Sequence, residues 1–558
     1  MEEINPKDKE WFSQIKEPVV LKSMSSVNWD EEADIAIIGC GGAGIAAALE
    51  ASEQKQDVLV LDRFFGGGAT AISGGVFYAG GGTQIQKEAG VEDSPEEMYK
   101  YLQMEVKGII KDSTLKKFCE DSSNNVDWLM KHGVLFNSSL YRKKTSYPTS
   151  EYYLYHSDNS LVPEYAERAK PAARGHRGFV KNSLRVTGLG GSIFYPLLNA
   201  AKNNGVRLML QTEAIRLVQN RNGKVVGVEV LQIPPNTSAA RKHMKFSKRA
   251  SAYQMVIRPL ANYYRKKALR LEEKERVSKF IKAKKGVIIA AGGFIFNREM
   301  VRRYIPKYEN GFPLGTTGDD GAGIRLGQSV GGVAAHMNRA TAWRFLNPPV
   351  AWGQGIVVNA QGERYCNEMV YGSILGEAMI ENHNGKGILI IDSQLRKETL
   401  SQLGPGKLMP FQRNPVILNM LFKSKKAKTI AGLAKKCDMS PLKLYDSIEK
   451  YNLAGEGIAK DPFGKPTDDC RGIRKSPFYA IDVSLENSLF PCSVITLGGL
   501  KINEESGNVL NEEGKDIEGL YAAGRTAVGV CSNIYVSGLS IGDCIFSGRR
   551  AGLHASSL

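Results

Sequence analysis

The stretch ADIAIIGCGGAGIAAALEASEQKQDVLVLDR, residues 33–63, contains the pattern that decides the fold. Its apolar run from Ile35 to Ile38 predicts a short buried parallel strand. The strand leads directly into a GxGxxG turn whose glycines are Gly39, Gly41 and Gly44. The helix-forming IAAALEA follows, and a second apolar run at residues 58–61 ends in an acidic residue. This order predicts a strand–turn–helix–strand unit.

The three glycines have separate physical tasks in such a unit. Gly39 permits the tight turn, Gly41 lets the backbone approach a pyrophosphate, and Gly44 lets the helix pack on the strand. The first turn of the helix offers unpaired N–H groups and a positive dipole end to phosphates. Asp62 lies 23 positions after Gly39 and is placed to accept hydrogen bonds from ribose hydroxyls. The segment therefore predicts a dinucleotide-binding site.

A second glycine-rich region, FFGGGATAISGGVFYAGGGTQIQ, follows at residues 64–86. Thr70 and Ser73 are interleaved among its glycines. Such a loop suits the close approach of backbone to a flat ring system and its phosphates. A flexible surface loop is the alternative, and the apolar residues Ile72, Val76 and Phe77 argue against it.

The charge of the chain is concentrated in one segment. The 558 residues carry a formal net charge of +16. Residues 241–285 contain sixteen Lys or Arg and three Glu, a net charge of 16 − 3 = +13, so the rest of the chain carries only 16 − 13 = +3. The basicity therefore requires a local explanation and does not indicate a nucleic-acid-binding face over the whole fold.

Composition also limits the class of protein. No apolar run is long enough to cross a bilayer, and the polar N-terminal residues show no signal-peptide core. The eight cysteines form no CxxC pair and the seven histidines form no HxH or HExxH pattern. These features predict a cytoplasmic protein from a reducing compartment without a metal site.

The order of patterns along the chain indicates an interrupted domain. Residues 92–135 are predicted helical, residues 140–175 an irregular loop, and RLVQNRNGKVVGVEVLQ a hairpin that turns at Asn222-Gly223. We predict an α/β fold in which a Rossmann-type nucleotide-binding domain is interrupted by an α+β capping domain. The predicted divisions are residues 1–303 with a basic insert at 236–285, the capping domain at 304–485, and the returning part at 486–558.

The motifs GCGGAG, GGGATAISGGVFYAGGGT, TGDDGAGI, TLGGLKIN, GLYAAGR and YVSGLSIGD together resemble those of the flavoprotein superfamily of fumarate reductases and 3-ketosteroid dehydrogenases. The resemblance implies bound FAD with its ring system between the two domains. The loop GGGATAISGG has no histidine for covalent attachment, so we expect non-covalent FAD. The implied cofactor-binding residues are Gly39, Gly41, Gly42, Ala43, Gly44, Asp62, Arg63, Gly68, Ala69, Thr70, Ser73, Gly74, Gly75, Ala214, Gly292, Asp319, Gly524, Arg525, Ser540 and Ile541.

A missing arginine distinguishes the branches of this superfamily. Dicarboxylate enzymes of the superfamily carry a proton-donating arginine after a G-x-R-[FY]-x-x-E stretch. Here that stretch runs from Gly362 to Glu368, and no arginine follows before Arg396. A fumarate-reductase-like enoate reductase is therefore the least favoured alternative within the superfamily.

The C-terminal Tyr535-Val-Ser537 resembles the Tyr-x-Ser element of 3-ketosteroid Δ4-(5α)-dehydrogenases, in which the tyrosine binds the C3 carbonyl. A 3-ketosteroid Δ1-dehydrogenase is the runner-up, and Ser537 is the residue that separates the two. The resemblance implies that Tyr371 and Ser537 form the proton relay, with Tyr365 as the reserve for Tyr371. Without the resemblance, the sequence favours a packed core tyrosine at Tyr535 and a helix cap at Ser537.

We therefore predict an FAD-dependent 3-ketosteroid oxidoreductase that forms or reduces the Δ4 (C4–C5) double bond, with hydride transfer at flavin N5. Its expected partners are an apolar steroid and an external electron donor or acceptor. The electron partner is expected to be external because no second GxGxxG, iron–sulfur or haem motif is present. A flavin-containing protein that binds nucleic acid through its basic segment is the alternative from another class.

The basic segment, residues 241–285, also carries an apolar and aromatic stretch around Tyr253–Tyr264, and RKKALRLEEKERVSKFIKAKK after it is predicted to be a helix. Basic residues beside aromatic and aliphatic ones are typical of a helix at a membrane interface. We therefore hypothesise peripheral contact with the inner face of the membrane through this segment, and no contact with nucleic acid. The hypothesis expects FAD content to be independent of the segment. A solvated helical hairpin and an arm that joins subunits of a homo-oligomer are the alternatives.

Overall fold

The computed structural model of the chain describes residues 12–179 and 189–558. Up to residue 179 the elements are β1 (Val19–Val20), β2 (Glu31–Ile38), α1 (Gly42–Glu53), β3 (Val58–Asp62), α2 (Gly68–Ile72), β4 (Val76–Tyr78), α3 (Gln84–Glu88), α4 (Pro95–Val106), α5 (Asp112–Glu120), α6 (Ser122–Lys131), β5 (Leu140–Tyr141), β6 (Leu154–Tyr155), α7 (Pro163–Ala166) and β7 (Gly175–Arg177). The helices predicted between residues 92 and 135 are confirmed. The predicted irregular loop at 140–175 also contains three short strands.

From residue 189 to residue 304 the elements are α8 (Gly191–Asn203), β8 (Arg207–Leu210), β9 (Thr212–Gln219), β10 (Val225–Gln232), α9 (Ser238–Gln254), α10 (Arg258–Glu275), β11 (Val277–Ile289) and α11 (Arg298–Tyr304). The hairpin predicted at Asn222-Gly223 is confirmed, because β9 and β10 pair antiparallel across it.

The remaining elements begin at residue 312. They are β12 (Phe312–Pro313), α12 (Ala322–Ser329), β13 (Ala334–Ala335), β14 (Ala340–Trp343), α13 (Val350–Gly353), β15 (Ile356–Val358), α14 (Gly372–His383), β16 (Ile388–Ile391), α15 (Ser393–Gln402), α16 (Pro410–Phe422), β17 (Ser424–Ala427), α17 (Ile430–Lys436), α18 (Pro441–Gly455), β18 (Phe478–Asp482), β19 (Ser493–Thr496), β20 (Gly499–Leu500), β21 (Asn508–Leu510), β22 (Asp516–Ala522) and α19 (Leu539–Ser557). Among the residues described, no helix is both long enough and apolar enough to cross a bilayer.

A nine-stranded sheet forms the centre of the fold, and its parallel part has the order β8-β3-β2-β11-β22. In chain order that arrangement is 3-2-1-4-5, which is typical of doubly wound dinucleotide-binding sheets. Strand β22 joins this sheet beside residues 287–289 of β11 although the long segment 290–515 separates the two in the chain. The predicted Rossmann-type α/β fold is therefore confirmed.

The intervening segment has a core of its own. The four-stranded sheet β15-β16-β18-β17 packs with α13–α18 around buried residues between Leu346 and Phe490. By contrast, α11 and α12 share a buried cluster with the central sheet, through residues such as Val301 and Ile324. The domain boundaries at 303 and 485 remain predictions.

The basic segment is a helical hairpin followed by a strand. Helices α9 and α10 are joined at residues 255–257. The helix predicted over residues 265–285 is wrong beyond Glu275, because α10 ends there and β11 begins two residues later. Burial alternates in that part: Ile281 and Ala283 are buried, whereas Lys284 is exposed. The period of two residues fits a strand, and pairing with β10 and β2 overrides the helix propensity of the lysines.

A buried cluster of charges holds the hairpin on the central sheet. Arg63, directly after β3, pairs with Glu272 of α10 at 2.9 Å, with Asp320 at 3.2 Å and with Glu213 at 3.5 Å. Burial opposes the charge on Arg63, but these three carboxylates outweigh it and raise the pKa of the guanidinium. A buried arginine with three acidic partners links segments that are far apart in sequence.

We expect Arg63→Met to destabilise the protein by about 3–5 kcal/mol, because it leaves buried carboxylates without their counter-charge. Urea unfolding at a fixed FAD concentration measures the loss. Arg207→Met is the matched control, since Arg207 pairs with Glu31 and Asp57 at a side-chain exposure of 39% and such surface pairs contribute only ~0–1 kcal/mol. Equal effects of the two substitutions would contradict the assigned role of the cluster.

Candidate active site

A cavity of about 720 Å³ lies at the carboxyl ends of the parallel strands. The residues that directly follow or end β2, β3, β11 and β22 line it, namely Gly39, Asp62, Ala290 and Ala523. Ligands of doubly wound sheets bind outside the carboxyl ends of the strands. The cavity is therefore where the fold itself places a dinucleotide.

Nearly all of the predicted cofactor residues meet at this cavity, and only Gly44 and Gly75 do not line it. Those that do are Gly39, Gly41, Gly42, Ala43, Asp62, Arg63, Gly68, Ala69, Thr70, Ser73, Gly74, Ala214, Gly292, Asp319, Gly524, Arg525, Ser540 and Ile541. Their binding to the cofactor remains a prediction.

The three glycines of the turn differ in what surrounds them. A Cβ on Gly39, whose φ is +105°, would lie 2.4 Å from the carbonyl oxygen of Ala290, and one on Gly44 would lie 1.9 Å from that of Gly39. A Cβ on Gly41 would meet nothing within 4 Å, yet Gly41 lines the cavity. Gly39 and Gly44 are thus required by packing of the protein, whereas the space beside Gly41 is available to a ligand.

Asp62 is largely occupied by the backbone. Its carboxylate accepts hydrogen bonds from the amides of Cys40, Phe64 and Gly66 at 2.9–3.1 Å. A carboxylate has about four lone-pair sites, so roughly one is left for a ribose hydroxyl. Burial raises the pKa of Asp62, and the three amide donors oppose that rise. Arg63 lines the cavity too, but its guanidinium is held by the acidic cluster described above.

An arginine on the far side of the cavity is only partly paired. Arg525 donates to Asp319 at 2.5 Å through Nη2, while its buried Nη1 has no hydrogen-bond partner within the described part of the chain. Asp319 in turn accepts from the amides of Gly293 and Thr316. Because a buried donor without a partner is costly, Arg525 is suited to an acceptor or anionic group of a bound cofactor.

Two helices begin at the cavity wall. Gly42 and Ala43 open α1, and Ser540 and Ile541 belong to the first turn of α19. The first N–H groups of a helix lack intrahelical partners and carry a partial positive charge. This arrangement, the open space beside Gly41 and the free Nη1 of Arg525 fit a phosphate-containing cofactor.

The helical hairpin α9–α10 forms part of the cavity wall, which the sequence did not indicate. Ser247, Gln254, Met255, Arg265 and Glu272 of the hairpin line the cavity. The hydroxyl of Ser247 is buried and has no partner in the residues described. The expectation that FAD content is independent of this segment therefore conflicts with the structure, because removing the hairpin would open the cofactor cavity.

One end of the cavity is apolar and aromatic. It is lined by Tyr147, Leu314, Trp343, Ile495 and Tyr535. The rings of Trp343 and Tyr535 are 4.7 Å apart, and the Tyr147 hydroxyl donates to the carbonyl oxygen of Gly74 at 2.6 Å. We call this part of the cavity the aromatic end.

Two of the predicted catalytic residues, Tyr535 and Ser537, line the cavity at the aromatic end. Ser537 lines the cavity and shares a 3.1 Å hydrogen bond with the hydroxyl of Tyr155. Tyr371 does not line the cavity but lies next to Ser537; burial raises the pKa of Tyr371 well above its usual value, and the Ser537 side chain opposes that rise. The backbone of Tyr371 is fixed by a 2.6 Å hydrogen bond to Asn159. Ser537 thus lies between two phenol groups.

The Tyr535 hydroxyl is arranged as a donor. It accepts a hydrogen bond from the amide of Gly538 at 3.2 Å, and none of the described residues accepts its proton. Burial raises the pKa of Tyr535 to about 12. The hydroxyl therefore stays neutral near pH 7 and keeps a proton for a carbonyl acceptor in the cavity.

The reserve candidate, Tyr365, lies elsewhere. Its ring packs on His383 at 4.2 Å, and its hydroxyl would be 3.0 Å from a Cβ on Gly387, within the capping segment. The neighbouring Arg364 is bonded to Glu368 and Asp461. The stretch from Gly362 to Glu368 is thus held by a buried ion-pair network. Tyr365, which belongs to this stretch, does not line the cavity.

Tyr147, Tyr155 and Trp343 are site residues that the sequence reasoning missed. Tyr147 and Tyr155 belong to the stretch predicted as an irregular loop, and the pairing of β6 with β7 places Tyr155 opposite Gly175. The abundance of tyrosine in that stretch was the available signal. Nothing in the local pattern indicates that Tyr155 meets Ser537, because 382 positions separate the two residues.

Comparison with known proteins identifies the family of the chain. Residues 34–538 match the family described as FAD binding domain, and the chain belongs to that family. It is 40% identical over 512 residues to the 3-oxo-5-alpha-steroid 4-dehydrogenase of Comamonas testosteroni, covering 90% of this chain and 94% of that protein. The protein is a flavin-dependent oxidoreductase whose cofactor is FAD.

More distant relatives share the whole architecture. The crystal structure of a 3-ketosteroid-Δ4-(5α)-dehydrogenase from Rhodococcus jostii RHA1, in complex with 4-androstene-3,17-dione, superimposes with a TM-score of 0.81 at 28% identity, covering 97% of this chain and 100% of that one. A probable fumarate reductase of Shewanella frigidimarina is 26% identical over 94% of this chain and 75% of its own length. The predicted superfamily resemblance is confirmed.

We expect Gly41→Val and Gly44→Val to fail in different ways. The Gly41 side chain would enter the cavity, so the protein should fold but lose FAD. The Gly44 side chain would meet the carbonyl of Gly39, so folding itself should be impaired. The flavin-to-protein absorbance ratio and thermal unfolding of the flavin-free proteins separate the two outcomes. Full FAD content in Gly41→Val would rule out a cofactor at this turn.

Proposed function

We propose that this protein is an FAD-dependent 3-ketosteroid oxidoreductase that forms or reduces the Δ4 (C4–C5) double bond of 3-oxo steroids. The observation that carries the proposal is the group of hydroxyls at the aromatic end, in which the donor Tyr535 stands beside Ser537 and its two phenol neighbours. The 40% identity to a 3-oxo-5-alpha-steroid 4-dehydrogenase supports the same assignment.

The aromatic end suits the body of such a substrate. Trp343, Leu314 and Ile495 offer an apolar surface to a rigid hydrocarbon skeleton. Tyr535 supplies a hydrogen-bond donor for a ketone oxygen. When bound, FAD supplies hydride acceptance or donation at its N5 atom.

Tyr535 would polarise the ketone. Loss of a proton from C4, next to the C3 carbonyl, places negative charge on the carbonyl oxygen. A donor that is already fixed by the Gly538 amide and remains protonated stabilises that charge as it develops. The pKa of about 12 keeps this donor available throughout the neutral range.

Ser537 and Tyr371 would move the proton at C4. Ser537 lines the cavity, Tyr155 hydrogen-bonds with it from the protein side, and Tyr371 lies next to it. A hydroxyl between two others can accept a proton on one side while it donates on the other. Tyr155 thereby joins the relay as a positioning residue, because it holds the Ser537 hydroxyl.

The alternatives receive less support. A Δ1-dehydrogenase would use the same Tyr535 donor, and the Ser537 relay is the feature that favours Δ4. A fumarate-reductase-like reaction needs cationic groups for two carboxylates, whereas Arg364 is already bonded to Glu368 and Asp461. We also propose that the electron donor or acceptor is an external carrier. Assembly into a homo-oligomer stays a prediction.

Locating the new double bond tests the proposed function. With a saturated 3-oxo-5α-steroid and an artificial electron acceptor, we expect a Δ4-3-one product, identified by NMR or by mass spectrometry against standards. A Δ1 product would favour the runner-up reaction. Reoxidation of the reduced flavin by fumarate, without reduction of the oxidised flavin by the saturated steroid, would contradict the proposal.

Tyr535→Phe and Ser537→Ala should each retain FAD and lower kcat on the order of 10²-fold, because each removes a hydroxyl that acts on developing charge or on the transferred proton. Tyr155→Phe should have a smaller effect on kcat and leave KM nearly unchanged. Tyr365→Phe is the matched control, since its buried hydroxyl lies outside the cavity, and it should keep wild-type turnover. Wild-type turnover in both Tyr535→Phe and Ser537→Ala would refute the site assignment.

A further inference from the structure

Helix α16, Pro410–Phe422, exposes apolar side chains that a protein normally buries. Phe411, Leu418, Leu421 and Phe422 are 57%, 41%, 66% and 70% exposed. Their spacing of seven, ten and eleven positions from Phe411 places them along one side of a helix. The opposite side packs into the capping core through Val416 and Met420. A contiguous exposed apolar face of this kind marks an interaction surface.

The surroundings of this face are uniformly basic. Residues 403–437 contain eight Lys or Arg and no Asp or Glu, a net charge of +8. The eight are Lys407, Arg413, Lys423, Lys425, Lys426, Lys428, Lys435 and Lys436. Among the residues that the structure describes, none of them forms an ion pair; Lys425 and Lys436 instead donate to backbone carbonyls. The described structure therefore places no carboxylate within ion-pair distance of these eight side chains.

The same helix contacts the cavity wall. The ring of Phe411 packs against Tyr147 at 5.7 Å, and the Gln412 amide donates to the carbonyl oxygen of Tyr147 at 3.2 Å. Tyr147 lines the aromatic end. The side chain of Tyr147 thus separates the exposed face of α16 from the proposed steroid-binding part of the cavity.

We propose that α16, together with the basic residues around it, binds the surface of an anionic lipid bilayer. Apolar side chains would enter the boundary between headgroups and acyl chains, and the lysines would pair with lipid phosphates. The reason for such contact rests on the proposed function, since a poorly soluble steroid substrate accumulates in a bilayer. Tyr147 then connects the bilayer-facing helix with the substrate cavity.

The hairpin α9–α10 is less suited to this role than its composition indicated. Tyr264 stacks with Phe246 at 6.1 Å and with Tyr253 at 6.0 Å, so these rings pack on one another. The exposed apolar side chains of the hairpin are those of the tip, Met255–Ile257, and of Tyr263, and the hairpin also lines the cavity. Glu272 of the hairpin is also engaged by Arg276, which directly follows α10, at 3.5 Å.

Co-sedimentation of the FAD-loaded protein with vesicles tests the proposal without any turnover. We expect binding to phosphatidylglycerol vesicles at roughly 0.05 M salt, weaker binding at roughly 0.5 M, and little binding to phosphatidylcholine. Leu421→Ser combined with Phe422→Ser should lower the partition coefficient about tenfold or more, because two exposed apolar groups no longer enter the interface.

Val20→Ser combined with Leu553→Ser is the matched control, since both residues are exposed (61% and 50%) and lie on the FAD-binding part. The control and Val256→Ser combined with Ile257→Ser at the hairpin tip should both bind vesicles as the wild type does. FAD content and flavin reduction by a soluble steroid should be unchanged in all three double variants, which separates failure of this proposal from failure of the proposed function.

Several outcomes would overturn the inference. One is a wild type that ignores anionic vesicles at low salt, and another is loss of binding only in the hairpin-tip variant. A third is a Leu421/Phe422 variant that binds vesicles normally but has a smaller molecular mass in solution by light scattering. That result would make the α16 face a contact between copies of this chain.

Discussion

The close approach of four backbone segments around Gly39 is the constraint on which the rest of the structure depends. The Gly39 turn lies against β11, since a Cβ on it would be 2.4 Å from the carbonyl oxygen of Ala290. Helix α1 lies against the turn through Gly44. Helix α19 lies against α1 through Gly548 and Gly552, where a Cβ would be 2.4 Å from the carbonyl oxygens of Ala43 and Ala47. Side chains at these positions would push the segments apart and widen the cavity that they enclose.

This packing explains why the cavity brings together residues from both ends of the chain. Strand β22 and helix α19 return to the central sheet after the capping segment and place Arg525, Tyr535 and Ser537 opposite the first glycine turn. The buried pair between Arg63 and Glu272 closes the cavity on another side by holding the α9–α10 hairpin. The helical hairpin is therefore part of the cofactor enclosure as well as a carrier of positive charge.

The site also separates two kinds of polar chemistry. Charged groups such as Arg63 and Asp319 are paired or held by backbone amides, whereas the side chains named at the aromatic end carry uncharged hydroxyls, the indole N–H of Trp343 and apolar groups. Neutral donors suit an uncharged ketone because an unpaired charge there would be costly to bury. The same separation distinguishes this cavity from one built to hold two carboxylates.

The sequence by itself determined the dinucleotide-binding unit and, through the superfamily resemblance, the FAD cofactor. It also proposed the cofactor-binding residues and the pair Tyr535 and Ser537, whose roles remain predictions. The dinucleotide-binding unit lies in a short contiguous motif whose glycines and spacing have a local physical cause, whereas Tyr535 and Ser537 follow from the superfamily resemblance. Only the tertiary structure decided that Tyr155 holds Ser537, that Arg63 serves an ion-pair cluster, and that residues 277–285 are a strand. It likewise decided that α9–α10 encloses the cavity and that α16 exposes its apolar side. Each of these depends on contacts between segments far apart in the chain, and local propensity and periodicity carry no information about such contacts.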